Sequence, residues 1–238
     1  MPDSNTHIQF INLTQQITNC EKCPRLVTYR QEVARVKRRA FRDVDYWGRP
    51  VPGFGDEGAR VLIVGLAPGA HGSNRTGRMF TGDDSGRFLY GALHRAGFAN
   101  QPQALERNDN LTLKDIFITA VGRCAPPDNK PTREELENCQ PYLVKEMDLM
   151  KGLCGVVALG RIAYDSMSGL LKSRGFDLPI VPFGHGCFSR DEAGRMWLLG
   201  SYHPSRQNTQ TGRLTEAMFG DIWTKVKQQL TIETDGLR

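Results

Sequence analysis

The chain has 238 residues, 39% of them hydrophobic and 24% charged. That is an ordinary globular composition, long enough to bury a sizeable core without disulfide staples. Its longest apolar stretch, near residues 61–70, falls far short of the ~20 residues a membrane span needs. The start, MPDSNTHIQF, carries neither the basic residues nor the apolar core of a secretory signal. A membrane protein, a secreted disulfide scaffold and a disordered chain are therefore not expected. A cytoplasmic monomer of one domain over 1–238 is, with an extension over 1–19 that is open to helix and a flexible tail over 231–238.

The net charge of +5 is concentrated. Between Arg25 and Arg42 stand Arg25, Arg30, Arg35, Lys37, Arg38, Arg39 and Arg42 against one acid, Glu32. Seven cations and one anion make +6, so the rest of the chain is near neutral. Leu26, Tyr29, Val33, Val36 and Ala40 step by three and four along one helical face. Arg35, Arg38, Arg39 and Arg42 then fall on the opposite face, as a phosphate-binding surface or a solvated one.

Further along, Val61–Val64, Ile116–Val121, Gly155–Leu159 and Trp197–Ser201 read as short buried strands. Helical patterns fall between them at Ser85–Ala96, Arg133–Met150 and Arg161–Lys172, with a last one at Thr215–Leu230. Thr132 and Glu135 form a capping box, and Pro141 is expected to kink the helix it begins. The alternation implies an α/β fold of three layers: a central four-stranded parallel sheet with helices on both faces. Ligands bind such sheets beyond the carboxyl ends of the strands. The loops there are 65–84, 122–131 and 202–213.

Gly65-Leu-Ala-Pro-Gly69 follows the first strand, but it is neither G-x-G-x-x-G nor a P-loop. Six cysteines without an export signal argue against disulfides. Cys20 and Cys23 form a C-x-x-C, which reads as a metal site, a redox pair or chance.

The sequence becomes specific when its loops are taken together. GLAPG at 65–69, FTGD at 80–83, CAPPDNK at 124–130 and HPSRQN at 203–208 resemble the family 5 (type B) uracil-DNA glycosylases. CPRL at 23–26, YWGRPVPGFGD at 46–56 and TQTGRLT at 209–215 agree. The resemblance implies removal of deaminated bases from DNA. It also implies a [4Fe–4S] cluster on Cys20, Cys23, Cys124 and Cys139, tying the basic N-terminal helix to the main fold. On composition alone a Cys₄ set suits zinc equally. Cys154 reads as a core residue, and Cys187 has no assigned role.

Breaking a base–sugar bond builds positive charge on the sugar and negative charge on the departing base. Asp83 is the candidate carboxylate, His203 the candidate donor to the base, and Asn129 a polar group for water or base. Phe80 is the candidate stacking ring, with Gly65, Ala67, Gly69 and Ala120 shaping the base site. Arg206, Gln207 and Asn208 are candidates beside the flipped nucleotide, with Arg35, Arg38, Arg39 and Arg42 on phosphates. Each has a plainer reading. Asp83 suits a helix N-cap, Phe80 a core ring, and His203 and Asn129 turns. The loops contain no suitably placed lysine, so simple hydrolysis is expected rather than a Schiff-base lyase step.

Three positions depart from better-known relatives. Ala67 stands where a water-activating Asp is usual, Gly69 where a Tyr excludes thymine, and Ala120 where an Asn reads uracil. A broad specificity including hypoxanthine and xanthine is expected from them. The readings from other classes are a non-catalytic, metal-stapled DNA-binding protein and a nucleotide-binding hydrolase.

Overall fold

A computed structural model describes residues 4–235, with side chains described through residue 232. Four strands, β2 (Val61–Gly65), β3 (Ile116–Ala120), β4 (Gly155–Leu159) and β6 (Trp197–Ser201), run parallel in the spatial order β3-β2-β4-β6. These are the four expected strands. Two short strands extend the sheet to six: β1 (Phe54–Gly55) pairs antiparallel with β3, and β5 (Phe188–Arg190) antiparallel with β6. Neither has the length or apolar run that marks a strand in sequence.

All four parallel strands are buried end to end, as strands covered on both faces must be. Side chains alternate between two cores. Ile63, Ile118, Val157 and Leu199 face a layer formed by α4 (Asp84–Arg95) and α8 (Glu216–Asp235). Leu62, Phe117, Val156 and Leu198 face α5 (Arg133–Leu149) and α6 (Arg161–Ser173). Helix α1 (Ser4–Thr18) lies outside this second layer, where Leu13 and Ile17 pack on Tyr142 of α5. Helix α8 is helical through residues 231–235, so the flexible tail expected from residue 231 does not begin there. Residues 236–238 lie outside the described residues. Among the described residues, no helix is long and apolar enough to cross a membrane.

The capping box forms, with Thr132 accepting from the Glu135 amide and Glu135 accepting from the Thr132 amide. The helix then runs through Pro141 to Leu149 as one element. The basic helix needs a correction. Helix α2 spans Pro24–Val36 and stops at Lys37, which adopts φ 56°. Arg39–Phe41 is a separate 3₁₀ turn, so the four arginines do not share a helical face. The chain turns back after Val36 because Phe41 seats against Arg75, whose guanidinium lies 4.1 Å from the ring centre. Gly48 also donates to the Asn74 carbonyl at 3.0 Å. These tertiary contacts override an apolar period that would otherwise carry the helix to residue 40.

The connection from β2 leads to one side of the sheet and that from β4 to the other. The switch point therefore lies between β2 and β4, and the loops following β2, β3 and β6 meet at that edge. This is where an open α/β sheet offers its crevice.

Candidate active site

A cavity of about 670 Å³ opens at the carboxyl edge of the sheet. Leu66 and Ala67 enter it from the end of β2, Ala120 from β3 and His203 from just after β6. Phe80, Asp83 and Asn129 complete the central wall. The sequence places these residues up to 137 positions apart, from Leu66 to His203; parallel topology gathers them.

Phe80 holds φ 52°, an uncommon backbone state for an aromatic residue. Its ring stacks on His203 with centroids 5.8 Å apart and planes at 30°. The turn is held from several sides. Tyr90 Oη donates to the Met79 carbonyl at 2.8 Å, and Gly82 N donates to the Ala104 carbonyl at 2.9 Å. Arg78, 3% exposed, forks onto both carboxylate oxygens of Asp109 at 2.7 Å. Gly65 lies behind the ring instead of lining the cavity, since a Cβ there would press on Phe80 at 2.8 Å. Gly86 is similarly required, because a Cβ would overlap the Phe80 carbonyl. Backbone strain held this firmly marks a residue whose position matters.

Asp83 fills both roles that the sequence offered as alternatives. It is the N-cap of α4, with Oδ1 accepting from Gly86 N at 2.9 Å, and its carboxylate lines the cavity. Oδ2 reaches beneath the loop after β2, where a Cβ on Gly72 would overlap it and one on Gly69 would stand 3.2 Å away. Gly69 thus admits the carboxylate. Burial raises the Asp83 carboxyl above its ordinary value, opposed by the Gly86 amide. The helix N-terminus does not by itself keep it at an ordinary carboxylate pKa.

Burial also holds His203 neutral, with its pKa pushed down to about 4. A neutral imidazole still has one N–H to donate. The His203 carbonyl accepts from Asn208 Nδ2 at 2.9 Å, so Asn208 braces the histidine's backbone. Asn129, at φ 57° and exposed, reaches the cavity from the loop after β3. That loop is anchored by Arg123, which forks onto Glu146 of α5 at 3.0 and 2.6 Å with both side chains buried.

Arg38, expected on phosphates, lines the cavity together with Phe41 and His71, to which the sequence assigns no role, and Tyr46 Oη meets His71 Nδ1 at 3.1 Å. The Arg38 amide also donates to Tyr46 Oη. Burial, with Arg38 and Arg75 nearby, holds His71 below its ordinary value. YWGRP at 46–50 carried the signal, but only the folded chain brings it to His71.

The matched family model, the uracil DNA glycosylase superfamily, covers residues 52–227, which include every cavity loop except the Arg38–Phe41 turn. The chain belongs to that superfamily. It is 52% identical over 214 residues to a type-5 uracil-DNA glycosylase of Thermus thermophilus, covering 90% of this chain and 95% of that one. With the type-5 uracil-DNA glycosylase of Mycobacterium leprae it shares 53% over 218 residues, covering 91% and 93%. A type-4 uracil-DNA glycosylase of Pyrobaculum aerophilum is 34% identical, with 81% of each chain covered.

The cavity gathers Arg38 and Arg206 but not the other expected cations. Arg206 stands 3.9 Å from Asp84. Arg35 is paired with Glu32 at 2.6 Å, while Arg39, Arg42 and Gln207 are exposed outside the cavity.

Cys20, Cys23, Cys124 and Cys139 are free thiols that line one small cavity. Among the described residues no group of three or more His, Cys, Asp or Glu side chains is arranged to hold a metal ion. The convergence is therefore of thiols on a cavity rather than of ligands on one point. The surroundings nevertheless suit anionic sulfur. Arg30 is 3% exposed and donates to Cys124 Sγ at 2.9 Å, and Asn138 Nδ2 donates to Cys23 Sγ at 3.6 Å. Burial pushes the Cys124 thiol up to about 11 despite Arg30. A buried guanidinium facing neutral thiols calls for negative charge, which a bound cation that deprotonates them supplies.

Proposed function

We propose that this chain is a monofunctional DNA glycosylase. It hydrolyses the N-glycosidic bond of uracil in DNA and leaves an abasic site. The observation that carries this reading is the Phe80–His203 stack with a largely buried carboxylate, Asp83, lining one cavity in a uracil-DNA glycosylase superfamily chain.

A base flipped out of the helix stacks against Phe80. As the bond to the sugar breaks, His203 donates to the base oxygen that gains charge, and its neutral state fits a donor that does not need to change charge. Ionised Asp83 faces the sugar and stabilises its developing positive charge. Asn129 holds the attacking water or the base edge. No lysine lines the cavity among the described residues, which supports hydrolysis over a lyase step.

Cys20, Cys23, Cys124 and Cys139 would hold a [4Fe–4S] cluster, the group implied by the family resemblance. Its contribution is structural, joining the start of α2 to Cys124 in the loop after β3 and to Cys139 in α5.

Specificity extends to hypoxanthine and xanthine. Ala120 offers the base no amide pair, so wrong bases leave no buried polar group unmatched there. The test is single-turnover release of uracil and hypoxanthine from otherwise identical duplexes. Wild type should release both. In Ala120→Asn the uracil-to-hypoxanthine ratio should rise, because a bidentate base contact is worth about 1–3 kcal/mol. A wild type that ignores hypoxanthine overturns the broad specificity; one that releases no base favours a DNA-binding protein without catalysis.

A further inference from the structure

His203 is presented to the cavity by Tyr202, and Tyr202 is held in turn by a second histidine, His185. Along a strand, alternate amides point to the same side. On the β5 side of β6, Gly200 N donates to the Cys187 carbonyl at 2.8 Å. The next amide on that side is Tyr202 N, one residue past the end of β6. There the facing chain has turned away. Gly184–Cys187 is a tight turn, closed by Cys187 N on the Gly184 carbonyl at 3.3 Å, with Gly186 at φ 77°. The imidazole of His185, on that turn, takes the place of the missing carbonyl. Its Nδ1 accepts from Tyr202 N at 3.3 Å, and its Nε2 meets the Met218 carbonyl of α8 at 3.1 Å. An amide only donates and a carbonyl only accepts, so both partners call for the Nε2–H form of the ring. The ring also packs on that of Tyr202, with centroids 5.3 Å apart.

We propose that His185 is a positioning residue that aims His203. The inference rests on the glycosylase reading of the cavity, with His203 as the donor to the departing base. Tyr202 and His203 share a peptide unit, so whatever fixes the Tyr202 backbone fixes the direction from which the His203 side chain enters. The run past β6 is held at Tyr202 N by His185, at the Tyr202 carbonyl by Ser201 Oγ at 3.0 Å, and at the His203 carbonyl by Asn208 Nδ2 at 2.9 Å. Ser201 and Asn208 lie one and five residues from their acceptors. His185 instead reaches across 17 residues and carries the anchor on to α8 through Met218. It therefore sets the run against the rest of the fold, which the two local bonds cannot do. His185 does not line the cavity, so its effect on the reaction passes through His203.

Two variants separate the contacts of the ring. In His185→Asn the side-chain oxygen stands where Nδ1 does and can accept from Tyr202. In His185→Gln the side-chain nitrogen stands where Nε2 does and can reach only Met218. Single-turnover release from a uracil-containing duplex should be about tenfold slower in His185→Gln, part of the roughly hundredfold that a 1 Å misplacement costs. His185→Asn should stay within about twofold of wild type, and DNA affinity within about twofold in both, as for one contact outside the binding surface. On a His203→Ala background, His185→Gln should cost nothing further, since the group it aims is gone. In wild type, two-bond nitrogen–proton spectra should show His185 in the Nε2–H form. The Nδ1–H form cannot accept from Tyr202 and overturns the proposal even if neither variant folds. Equal slowing of both variants, in step with a lowered melting temperature, means a merely structural role and overturns it too. So does an unchanged rate in His185→Gln, or a loss that persists in full without His203. Release undiminished in His203→Ala overturns the role of His203 instead, and release absent from wild type overturns the glycosylase reading.

Discussion

Asp83 both caps α4 and faces the cavity, and two substitutions separate these duties. Asparagine caps a helix as well as aspartate does, whereas alanine loses about 1 kcal/mol. Because burial disfavours the charged carboxylate, Asp83→Asn should melt at or above the wild-type temperature near neutral pH. It should nevertheless release base about a hundredfold more slowly, the usual cost of a lost charge-stabilising group. Asp83→Ala should be slow and less stable as well. Thermal melts beside single-turnover rates check both, and an undiminished rate in Asp83→Asn removes the carboxylate from the mechanism. His203 makes a separate prediction about pH. Its folded pKa, about 4, lies below the ordinary histidine value of about 6.5. Between those values the unfolded chain binds the proton and the folded one does not, so stability falls as pH falls through that window. Denaturant titrations at pH 7 and pH 5 should show a loss that shrinks in His203→Gln. At this scale the sequence was most legible where short motifs sit together: Phe80, Asp83 and His203 stand on adjacent loop ends. It was least legible at His71, because its partner Tyr46 is 25 residues away and nothing local joins them.

Among elements, the turn from Arg78 to Gly82 depends on the Arg78–Asp109 fork. Burial alone would raise the Asp109 carboxyl, but hydrogen bonds from Arg78 and the amides of Leu105 and Leu111 outweigh it, holding the pKa at about 2. Its contribution is present above the unfolded value near 3.9 and is lost as pH falls toward 2. Asp109→Asn leaves Arg78 buried without a charge partner and should cost about 3 kcal/mol. With it should come a slower base release, since Phe80 rides on that turn. Chemical denaturation and rate measurements on the same preparation read both effects; full stability in Asp109→Asn contradicts this account. The strands and the helices after β2 were readable because their apolar periods and caps are local: Thr132 and Glu135 alone mark the start of α5. Helix α2 was misread beyond Val36 because no glycine or proline announces the turn at Lys37. The contacts that impose that turn, Phe41 on Arg75 and Gly48 on Asn74, come from a distant loop. Edge strands β1 and β5 escaped for a different reason, being two and three residues long, too short for a period of two to register.

Across the whole molecule, the cysteine site and the cavity at the sheet edge are connected through α2. Arg30 contacts Cys124, and its carbonyl accepts from Asn74 Nδ2 at 3.3 Å; Asn74 is fully buried in the short helix Ser73–Thr76 that follows Gly69. The isolated protein should contain four iron atoms with matching sulfide and be brown, by metal analysis and visible absorbance. Removing iron should lower the melting temperature and slow base release together. Cys20→Ser should do the same, and Cys187→Ser neither. Zinc alone in anaerobically prepared protein would exclude the cluster. The rims of the sheet have a consequence of another kind. A long bare strand at a rim is a template on which a second chain can grow, and many β-containing proteins precipitate by that route. Here both rims end in stubs of two and three residues, which expose very little main chain for a stranger to zip onto. Concentrated solutions should therefore stay free of fibrils and thioflavin-positive material for as long as the fold itself survives.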